Sequence, residues 1–320
     1  MTTAPPSSES PTDESTRGGG TQHLSLTMAS LALVLTCTLI WGGQAIAAKV
    51  SVDTIPAVIV LALRFLLALP ILFLAAYLGR WPLRIHAGQA RLVAGNSLLV
   101  FLQTGLFLVG TGLTSSARSI VIINTFPFFA ALAGRLLTND SALRPRQWLG
   151  MILSVVGLQI VLLPRLSHGT QASLVGDVLV LLAAALMGFK IAYVRRILSD
   201  LNAMQSVFWS TLLGAIACSV AVVCFYDVRS IEFSGSAIAA ILYQGFLVSG
   251  IAVLIWTYLL SRHPINHLTV FRLASPPIGI FLSWILMSES LTVTLIAGTA
   301  LITYGIYQVT GTAAQVKESH

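Results

Sequence analysis

Three positively charged side chains lie inside long apolar segments of this 320-residue sequence: Arg64, Lys190 and Arg272. A charge at the middle of a bilayer costs at least about 2.5 to 3.5 kcal/mol, so a charge kept at that depth needs a partner. Arg64 is near the middle of its segment and could either face an anionic solute or bond helix-end carbonyls. Lys190 and Arg272 are nearer the segment ends, where each could instead extend its charged tip into water.

The carboxylates are distributed differently from these cations. Each one in the apolar part of the sequence is expected at or beyond the end of a segment: Asp53, Asp140, Asp177, Asp227, Glu232 and Glu289. A proton-coupled carrier of lipophilic cations needs a buried carboxylate that exchanges proton for cargo. The pattern therefore favours an anionic or zwitterionic ligand over a lipophilic cation.

Neutral polar and aromatic side chains inside the segments complete the predicted ligand-binding set: Trp41, Gln44, Gln103, Asn124, Tyr193, Tyr243 and Trp256. Amides at membrane depth need hydrogen-bond partners, which helices, water or a ligand can supply. The aromatic rings could line a cavity for a small amphipathic molecule. They could equally form the belt of tryptophan and tyrosine found at membrane interfaces.

The elements that must position these side chains are membrane helices. The chain is 56% hydrophobic and 9% charged, against about 25% charged residues in soluble domains. A spanning helix needs roughly 20 mostly apolar residues. The sequence predicts ten such spans, an all-α integral membrane fold, with limits at about 26–48, 55–78, 91–112, 116–137, 146–164, 174–195, 203–226, 236–260, 267–287 and 291–311.

An internal repeat relates the two halves of the chain. Pro127, Asp140, Gly150 and Gly157 recur with nearly the same spacing as Pro276, Glu289, Gly298 and Gly305. Five spans is an odd number, so the second copy must start from the opposite side of the membrane. The sequence therefore predicts a five-plus-five inverted repeat, the usual architecture of secondary transporters. Its parts are a first repeat at 24–165 and a second at 174–311, between a tail at 1–23 and a tail at 312–320.

The recurring prolines and glycines have separate predicted roles. Pro127 and the pair Pro276 and Pro277 remove backbone hydrogen bonds, so they are expected to kink or break spans four and nine, either around a cavity or for packing only. The glycines lie seven residues apart on one helix face in each copy. They are expected to pack spans five and ten closely, within the chain or in a homodimer.

The net charge of +7 follows the membrane topology and does not indicate nucleic-acid binding. With the N-terminus inside, nine basic residues fall in cytoplasmic connections and four in external ones. This bias predicts that both termini are cytoplasmic, in an inner or plasma membrane. The first 23 residues are rich in Pro, Ser, Thr and Gly, and they lack the features of a signal peptide, so a disordered tail is expected.

Several short motifs resemble those of the drug/metabolite transporter superfamily, EamA type. They are the segment from Leu39 to Gly43, the triplet Leu63-Arg64-Phe65, the pair Gly176-Asp177, and the recurring pattern of proline, acid and two glycines. The resemblance implies a ten-helix carrier of small organic metabolites, often an exporter, whose central helices line the cavity. It also implies that an arginine at position 64 is usual, which favours the helix-bonding role for Arg64. Asn139-Asp140 departs from the family's usual Gly-Glu pair.

The resulting functional prediction is a secondary active transporter, an exporter of amino-acid-like, anionic or zwitterionic metabolites, that works by alternating access. An efflux carrier for drugs and other amphipathic compounds is the alternative, and a polytopic enzyme or a sensor ranks below both. The sequence has no HExxH, GxSxG or Walker motif, so neither an enzyme nor a cofactor is expected. His263 and His267 have zinc-like spacing, but Pro264 argues against a helix there, so no metal is expected.

Overall fold

The computed structural model describes residues 28–138, 145–168, 171–198, 200–227, 231–262, 275–288 and 290–315. The helices are α1 Met28–Gly42, α2 Gln44–Val52, α3 Ala57–Leu78, α4 Ala90–Leu113, α5 Ser116–Ile123, α6 Phe126–Thr138, α7 Pro145–His168, α8 Gln171–Ile197, α9 Ala203–Phe225, α10 Gly235–Leu242, α11 Val253–Arg262, α12 Ser275–Met287 and α13 Val293–Gln315. A 3₁₀ turn, Ala87–Gln89, precedes α4, and a π-helical segment, Tyr243–Ala252, joins α10 to α11.

Seven helical stretches in the described residues are long and apolar enough to cross a membrane. Three shorter apolar helices, Trp148–Val161, Ser275–Met287 and Val293–Gly305, lie within the predicted spans five, nine and ten. The count of ten spans stays a prediction. The predicted N-terminal tail and Arg272, Asp140, Glu289, His263 and His267 lie outside the described residues. At the other end, α13 continues to Gln315, past the predicted limit at 311.

Local sequence signals explain where several helices begin. At the start of α9, the Asn202 side chain accepts from the Gln205 backbone N–H at 2.7 Å, and the Gln205 side chain accepts from the Asn202 N–H at 2.9 Å. This reciprocal pair satisfies two of the donors that every helix start leaves free. Ser115 caps α5 and Ser234 caps α10 in the same way with their hydroxyls. Pro145 opens α7, where its missing N–H costs nothing.

Contacts between the two halves are symmetric. The first span (α1 and α2) packs on the eighth and ninth, and its counterpart, the sixth span (α8), packs on the third and fourth. The second and seventh spans, α3 and α9, pack on each other, as do the fifth and tenth, α7 and α13. If each span is replaced by its counterpart in the other half, every one of these helix contacts becomes another contact of the same set. The two repeats are therefore related by an approximate two-fold axis.

The pair α7 and α13 shows that this axis inverts one repeat. A Cβ atom on Gly157 would lie 2.8 Å from the carbonyl oxygen of Gly298, and one on Gly305 would overlap the carbonyl oxygen of Gly150. Advancing along α7 therefore means going backwards along α13, so the helices are antiparallel. All four predicted glycines lie in this one contact, where missing side chains let the backbones touch. A homodimer would have to use other surfaces.

Candidate functional site

Arg64 lies on α3 and is 7% exposed. Its Nε donates a hydrogen bond to Ser249 Oγ at 2.6 Å, and its Nη1 donates a longer one to Gln244 Oε1 at 3.5 Å. Gln244 is fully buried, and its Nε2 donates to the Ala47 carbonyl at 3.1 Å and to Ser51 Oγ at 3.0 Å. The network joins α3, the π-helical segment and α2. The acceptors are side-chain groups and not the helix-end carbonyls considered for Arg64, so its role stays a prediction.

The charge of Arg64 is nevertheless not neutralised by this network. The ion pairs of the described residues are Lys49 with Asp53 and Arg118 with Asp177, so the acceptors that Arg64 contacts are a hydroxyl and an amide. Neutral dipoles stabilise a buried cation without cancelling its field. The surroundings of α3 therefore retain a positive potential.

Close packing of α3 on the π-helical segment sets the position of this network. A Cβ on Gly245 would lie 2.5 Å from Leu67 Cβ, and a Cβ on Gly250 would lie 2.7 Å from Ile71 Cδ1. Both glycines thus let α3 approach the backbone and bring Ser249 next to Arg64. π-Helical turns are rare and occur frequently at functional sites. Apart from the two glycines, no sequence pattern predicted this segment.

Three spans meet where two of them have irregular points. The first span has a one-residue turn at Gly43, between α1 and α2, across which the Ala47 N–H still bonds the Gly43 carbonyl at 3.1 Å. The fourth span is interrupted at Asn124 and Thr125, between α5 and α6. A Cβ on Gly279 of α12 would lie 2.8 Å from both the Gly42 carbonyl oxygen and Ile120 Cδ1. Spans one, four and nine are therefore in direct contact beside these two points.

Two predicted polar residues lie at these points. Gln44 is the first residue of α2 and is half-buried. Asn124 lies in the gap after α5 and is also half-buried, and its Nδ2 donates to the Ile120 carbonyl at 2.7 Å. This bond satisfies a carbonyl that the end of α5 would otherwise leave free. The two amides thus flank the meeting point of spans one, four and nine.

The predicted prolines lie in the first turns of helices. Pro127 is the second residue of α6, directly after the gap at Asn124 and Thr125. Proline there lacks the N–H that a helix start does not use. Pro276 and Pro277 follow Ser275 at the start of the described part of span nine. Pro127 thus marks a break in the fourth span and not a bend within a continuous helix.

The aromatic candidates separate into two groups. Trp41 and Trp256 make an edge-to-face contact with ring centroids 5.3 Å apart, and the Tyr243 hydroxyl donates to the Ile40 carbonyl at 2.5 Å. Trp41 and Trp256 thus form an aromatic cluster between the first and eighth spans, and Tyr243 bonds the first span at the neighbouring residue Ile40. Tyr193 lies elsewhere: its hydroxyl donates to the Leu92 carbonyl at 3.3 Å, near the start of α4.

Lys190 and Gln103 form another polar contact, between α8 and α4. Lys190 Nζ donates to Gln103 Oε1 at 3.3 Å, and Gln103 is 8% exposed. Leu92, the partner of Tyr193, precedes Gln103 by eleven positions, or about 16 Å along α4 at 1.5 Å per residue. The structure therefore distributes the predicted set over the Arg64 network, the meeting point of spans one, four and nine, the aromatic cluster and the seam between α4 and α8.

A buried ion pair is the main feature that the sequence analysis missed. Arg118, counted there in an external connection, lies in the first turn of α5, and Asp177, expected at a span end, lies in the second turn of α8. They are 8% and 3% exposed, and Arg118 Nε and Nη2 donate to Asp177 Oδ1 and Oδ2 at 3.3 and 2.6 Å. Thr114 Oγ1 donates to the same carboxylate at 2.7 Å, and Arg118 Nη1 donates to the Val161 carbonyl at 2.6 Å.

Asp177 lies near the start of the span Ser173–Val194, as predicted, but its burial and its pairing with Arg118 were not predicted. The pair ties the fourth span of the first repeat to the sixth span of the second, with contacts to the third and fifth. The sequence held a signal for it, because opposite charges stand near the starts of two spans that begin on the same predicted side. Sequence spacing alone does not show that those starts are neighbours.

An apolar groove of about 520 Å³ runs between α12 and α13. Pro277, Thr299 and Tyr304 are among the residues that line it. The Thr299 hydroxyl donates to the Leu295 carbonyl, and the Tyr304 hydroxyl accepts from Gln308, while apolar side chains such as Ile280 and Ile296 make up much of the lining. The groove therefore offers mainly an apolar surface, separate from the Arg64 network.

The profile of the EamA-like transporter family matches residues 28–163 and 174–311. The chain belongs to the EamA-like transporter family. This confirms the resemblance drawn from the sequence and the all-α, two-repeat membrane class.

Relatives of this EamA-like chain carry transporter names. It is 25% identical over 285 residues to an uncharacterized transporter, YoaV, of Bacillus subtilis, covering 89% of this chain and 97% of that protein. It is 25% identical over 292 residues to a probable amino-acid metabolite efflux pump of Escherichia coli, covering 86% and 92%. A solved crystal structure superposes with a TM-score of 0.66 at 18% identity, over 90% of this chain and 99% of that one. That structural likeness shows the fold alone.

Membership of the EamA-like family establishes a multi-pass membrane transporter. It does not by itself assign a role to the Arg64 network, the interrupted fourth span or the Arg118–Asp177 pair. Their contacts must supply that argument.

Proposed function

We propose that this EamA-like transporter is a secondary carrier that exports small anionic or zwitterionic metabolites, amino acids among them. The observation that carries the proposal is Arg64, a buried guanidinium whose contacts are the neutral groups of Ser249 and Gln244. A carboxylate approaching this region would gain an interaction that the protein itself leaves available. The name of the Escherichia coli relative, an amino-acid metabolite efflux pump, agrees with this class.

A zwitterion also needs surroundings for its uncharged part. Trp41 and Trp256 form an aromatic cluster where the first and eighth spans pack, and Tyr243, which bonds the Ile40 carbonyl beside Trp41, directly precedes the Gln244 that contacts Arg64. The tyrosine hydroxyl is bound to a backbone carbonyl, so the cluster presents ring faces and edges to a ligand. A solute with a carboxylate and an apolar side chain fits these neighbours.

Alternating access is the mechanism we propose for the two repeats. They are related by an approximate two-fold axis, and the fourth span is interrupted at Asn124 and Thr125, next to the turn at Gly43 in the first. An interrupted helix can bend where backbone hydrogen bonds are missing. Rocking of one repeat on the other would then open the central region to each side in turn.

Counterflow in proteoliposomes tests the substrate class. Purified protein is loaded with an unlabelled candidate, and uptake of the labelled compound is measured for neutral amino acids, acidic amino acids, monocarboxylates and amines. The proposal expects exchange of carboxylate-bearing compounds and none of simple amines. Exchange confined to amines would overturn it.

The variant Arg64→Gln separates substrate binding from helix bonding. If Arg64 holds the carboxylate, exchange is lost while the purified yield and thermal stability stay near those of the wild type. If Arg64 only joins helices, stability falls first, because buried acceptors lose a donor at about 1 to 3 kcal/mol each. A stable, fully active Arg64→Gln protein would refute both roles.

Efflux of amphipathic compounds is the second candidate, favoured by one observation. The groove between α12 and α13 has an apolar lining and a volume of about 520 Å³. Filling it with Ala300→Phe should block transport of such compounds and leave amino-acid exchange unchanged. Loss of both activities would show only that the groove matters for folding or motion, and would remove this argument for a separate drug site.

A further inference from the structure

The connection between α3 and α4 is bound by the start of α9, the seventh span. Three successive carbonyls, those of Pro82, Leu83 and Arg84, accept hydrogen bonds from Asn202 Nδ2, Trp209 Nε1 and Gln205 Nε2 at 3.0, 2.7 and 2.7 Å. Gln89 also donates to the Asp200 carbonyl. The backbone of this connection is therefore fully engaged on its inner side.

The opposite side of the connection is basic and exposed. Arg80, Arg84 and Arg91 are all exposed, and the sequence from 54 to 139 contains no aspartate or glutamate. On the segment packed against this connection, the Asp200 backbone carbonyl is bound by Gln89. Three guanidinium groups thus stand on a short, fixed stretch of chain at one end of the bundle.

Arg80 holds an unusual backbone position. It has a φ of 52°, its N–H bonds the Tyr77 carbonyl at 3.2 Å, and the Trp81 N–H bonds the Ala76 carbonyl at 2.9 Å. This is the helix-ending motif in which the left-handed residue is usually glycine. Glycine stands one position earlier, at Gly79, so an arginine occupies the strained site. Strained residues cluster at binding sites, where the surrounding structure maintains them.

The last turns of α3, directly before Arg80, present an apolar surface. Phe73, Leu74, Tyr77 and Leu78 are 57%, 55%, 73% and 71% exposed. On a membrane protein, such a surface at the end of a span faces the acyl chains next to the headgroup layer. The surface and the arginines together match a molecule with two apolar chains and an anionic head.

We propose that the end of α3 and the connection from Arg80 to Arg91 bind an anionic phospholipid. Its phosphodiester would lie at Arg80 and Arg84 and its chains along the exposed apolar side chains of α3. The positive-inside bias explains why basic residues lie on this side, but not why one of them occupies a left-handed position on a connection fixed by three carbonyl hydrogen bonds. Bound there, the lipid would contact a connection that joins the second and third spans to the seventh.

Native mass spectrometry of the purified protein tests this site. After incubation with phosphatidylglycerol or with phosphatidylcholine of the same chains, the wild type should retain the anionic lipid at least about tenfold better. The double variant Arg80→Gln/Arg84→Gln should lose about tenfold or more of that retention, since each basic residue near an anionic surface contributes on the order of 1 kcal/mol. Retention of phosphatidylcholine should not change.

A matched control excludes a diffuse charge effect. Arg146→Gln/Arg196→Gln lowers the net charge by the same two units and lies on the same predicted side of the membrane. It should keep the wild-type preference, and Arg80→Lys/Arg84→Lys should keep most of it while showing that the connection still folds. Equal losses in both glutamine variants, or no preference in the wild type, would overturn the proposal. Displacement of the lipid by glycerol phosphate alone at millimolar concentration would also overturn it, because the apolar surface would then contribute nothing.

Discussion

Removing one partner of the Arg118–Asp177 pair should destabilise the protein far more than removing an exposed charge. Both side chains are buried, and the carboxylate receives two hydrogen bonds from Arg118 and one from Thr114. Asp177→Ala leaves the buried Arg118 guanidinium with its hydrogen bond to the Val161 carbonyl but without the carboxylate. Breaking a buried pair in this way costs about 3 to 5 kcal/mol, because the remaining charge stays desolvated.

The double variant Arg118→Met/Asp177→Leu should recover much of this loss. It removes both charges together, and replacing a buried ion pair by apolar side chains of similar size is often neutral. We expect the double variant to be at least about 2 kcal/mol more stable than Asp177→Ala. That difference in stability between the double variant and Asp177→Ala would measure the cost of an unpaired buried charge directly.

Asp53→Asn provides the control on the same predicted face. The Asp53 side chain is 44% exposed and lies 3.1 Å from Lys49 Nζ, which keeps its bond to the Gly112 carbonyl at 2.8 Å. An exposed pair of this kind contributes at most about 1 kcal/mol. The free energy of unfolding of all four proteins can be measured in mixed micelles by titration with a denaturing detergent. If Asp177→Ala costs no more than Asp53→Asn, or if the double variant is no more stable than Asp177→Ala, the reasoning is refuted.

Three further predictions concern packing, accessibility and topology. Gly157→Ala places a Cβ about 2.8 Å from the Gly298 carbonyl oxygen, so the free energy of unfolding should fall by about 1 to 3 kcal/mol. Gly235→Ala is the control, because the space around Gly235 is open and the free energy of unfolding should change little. Equal effects of the two variants would contradict the close contact between α7 and α13. Cysteine accessibility tests the cavity, with single cysteines introduced in a background without Cys37, Cys218 and Cys224. Each cysteine should react with an impermeant thiol reagent and be protected by substrate when it replaces Trp41, Gln44, Asn124 or Tyr193. Lack of reaction at all four positions would place the cavity elsewhere. Reporter fusions after Arg146 and after Arg196 should give cytoplasmic signals, and a fusion after residue 165 should give an external signal. An external signal from the fusion at Arg146 would exclude the predicted orientation.

The predicted elements and the observed ones agree where a single physical rule governs them. The apolar runs at 55–78 and 203–226 correspond to α3 and α9 within two residues at each end, because hydropathy and the length of a bilayer crossing set both limits. The matched glycines likewise lie together between α7 and α13, because an inverted repeat pairs equivalent spans in opposite directions. The turn at Gly43 and the break before Pro127 were less certain from sequence, since glycine and proline are common in membrane helices that stay continuous.

The proposed site was only partly predictable. Arg64 stood out as a charge at membrane depth, but its partners Ser249 and Gln244 lie some 180 residues away and become neighbours through the packing of α3 on the π-helical segment. Tyr193 matched the same composition rule as Trp41, yet it lies by the start of α4 and not in the aromatic cluster. A residue type indicates which chemistry is available, and only packing determines which groups can share one ligand.

The sequence by itself determined that this chain is a two-repeat α-helical membrane protein, because the free energy of placing apolar and charged side chains in a bilayer depends on local composition. Its internal repeat and an odd number of predicted spans per copy also determined that the copies are inverted. Only the tertiary structure decided that Arg118 and Asp177 form a buried pair and that the Arg64 guanidinium meets neutral acceptors. The reason is physical: the energy of a buried charge depends on the few groups within about 4 Å of it, and helix packing, not sequence distance, brings those groups together.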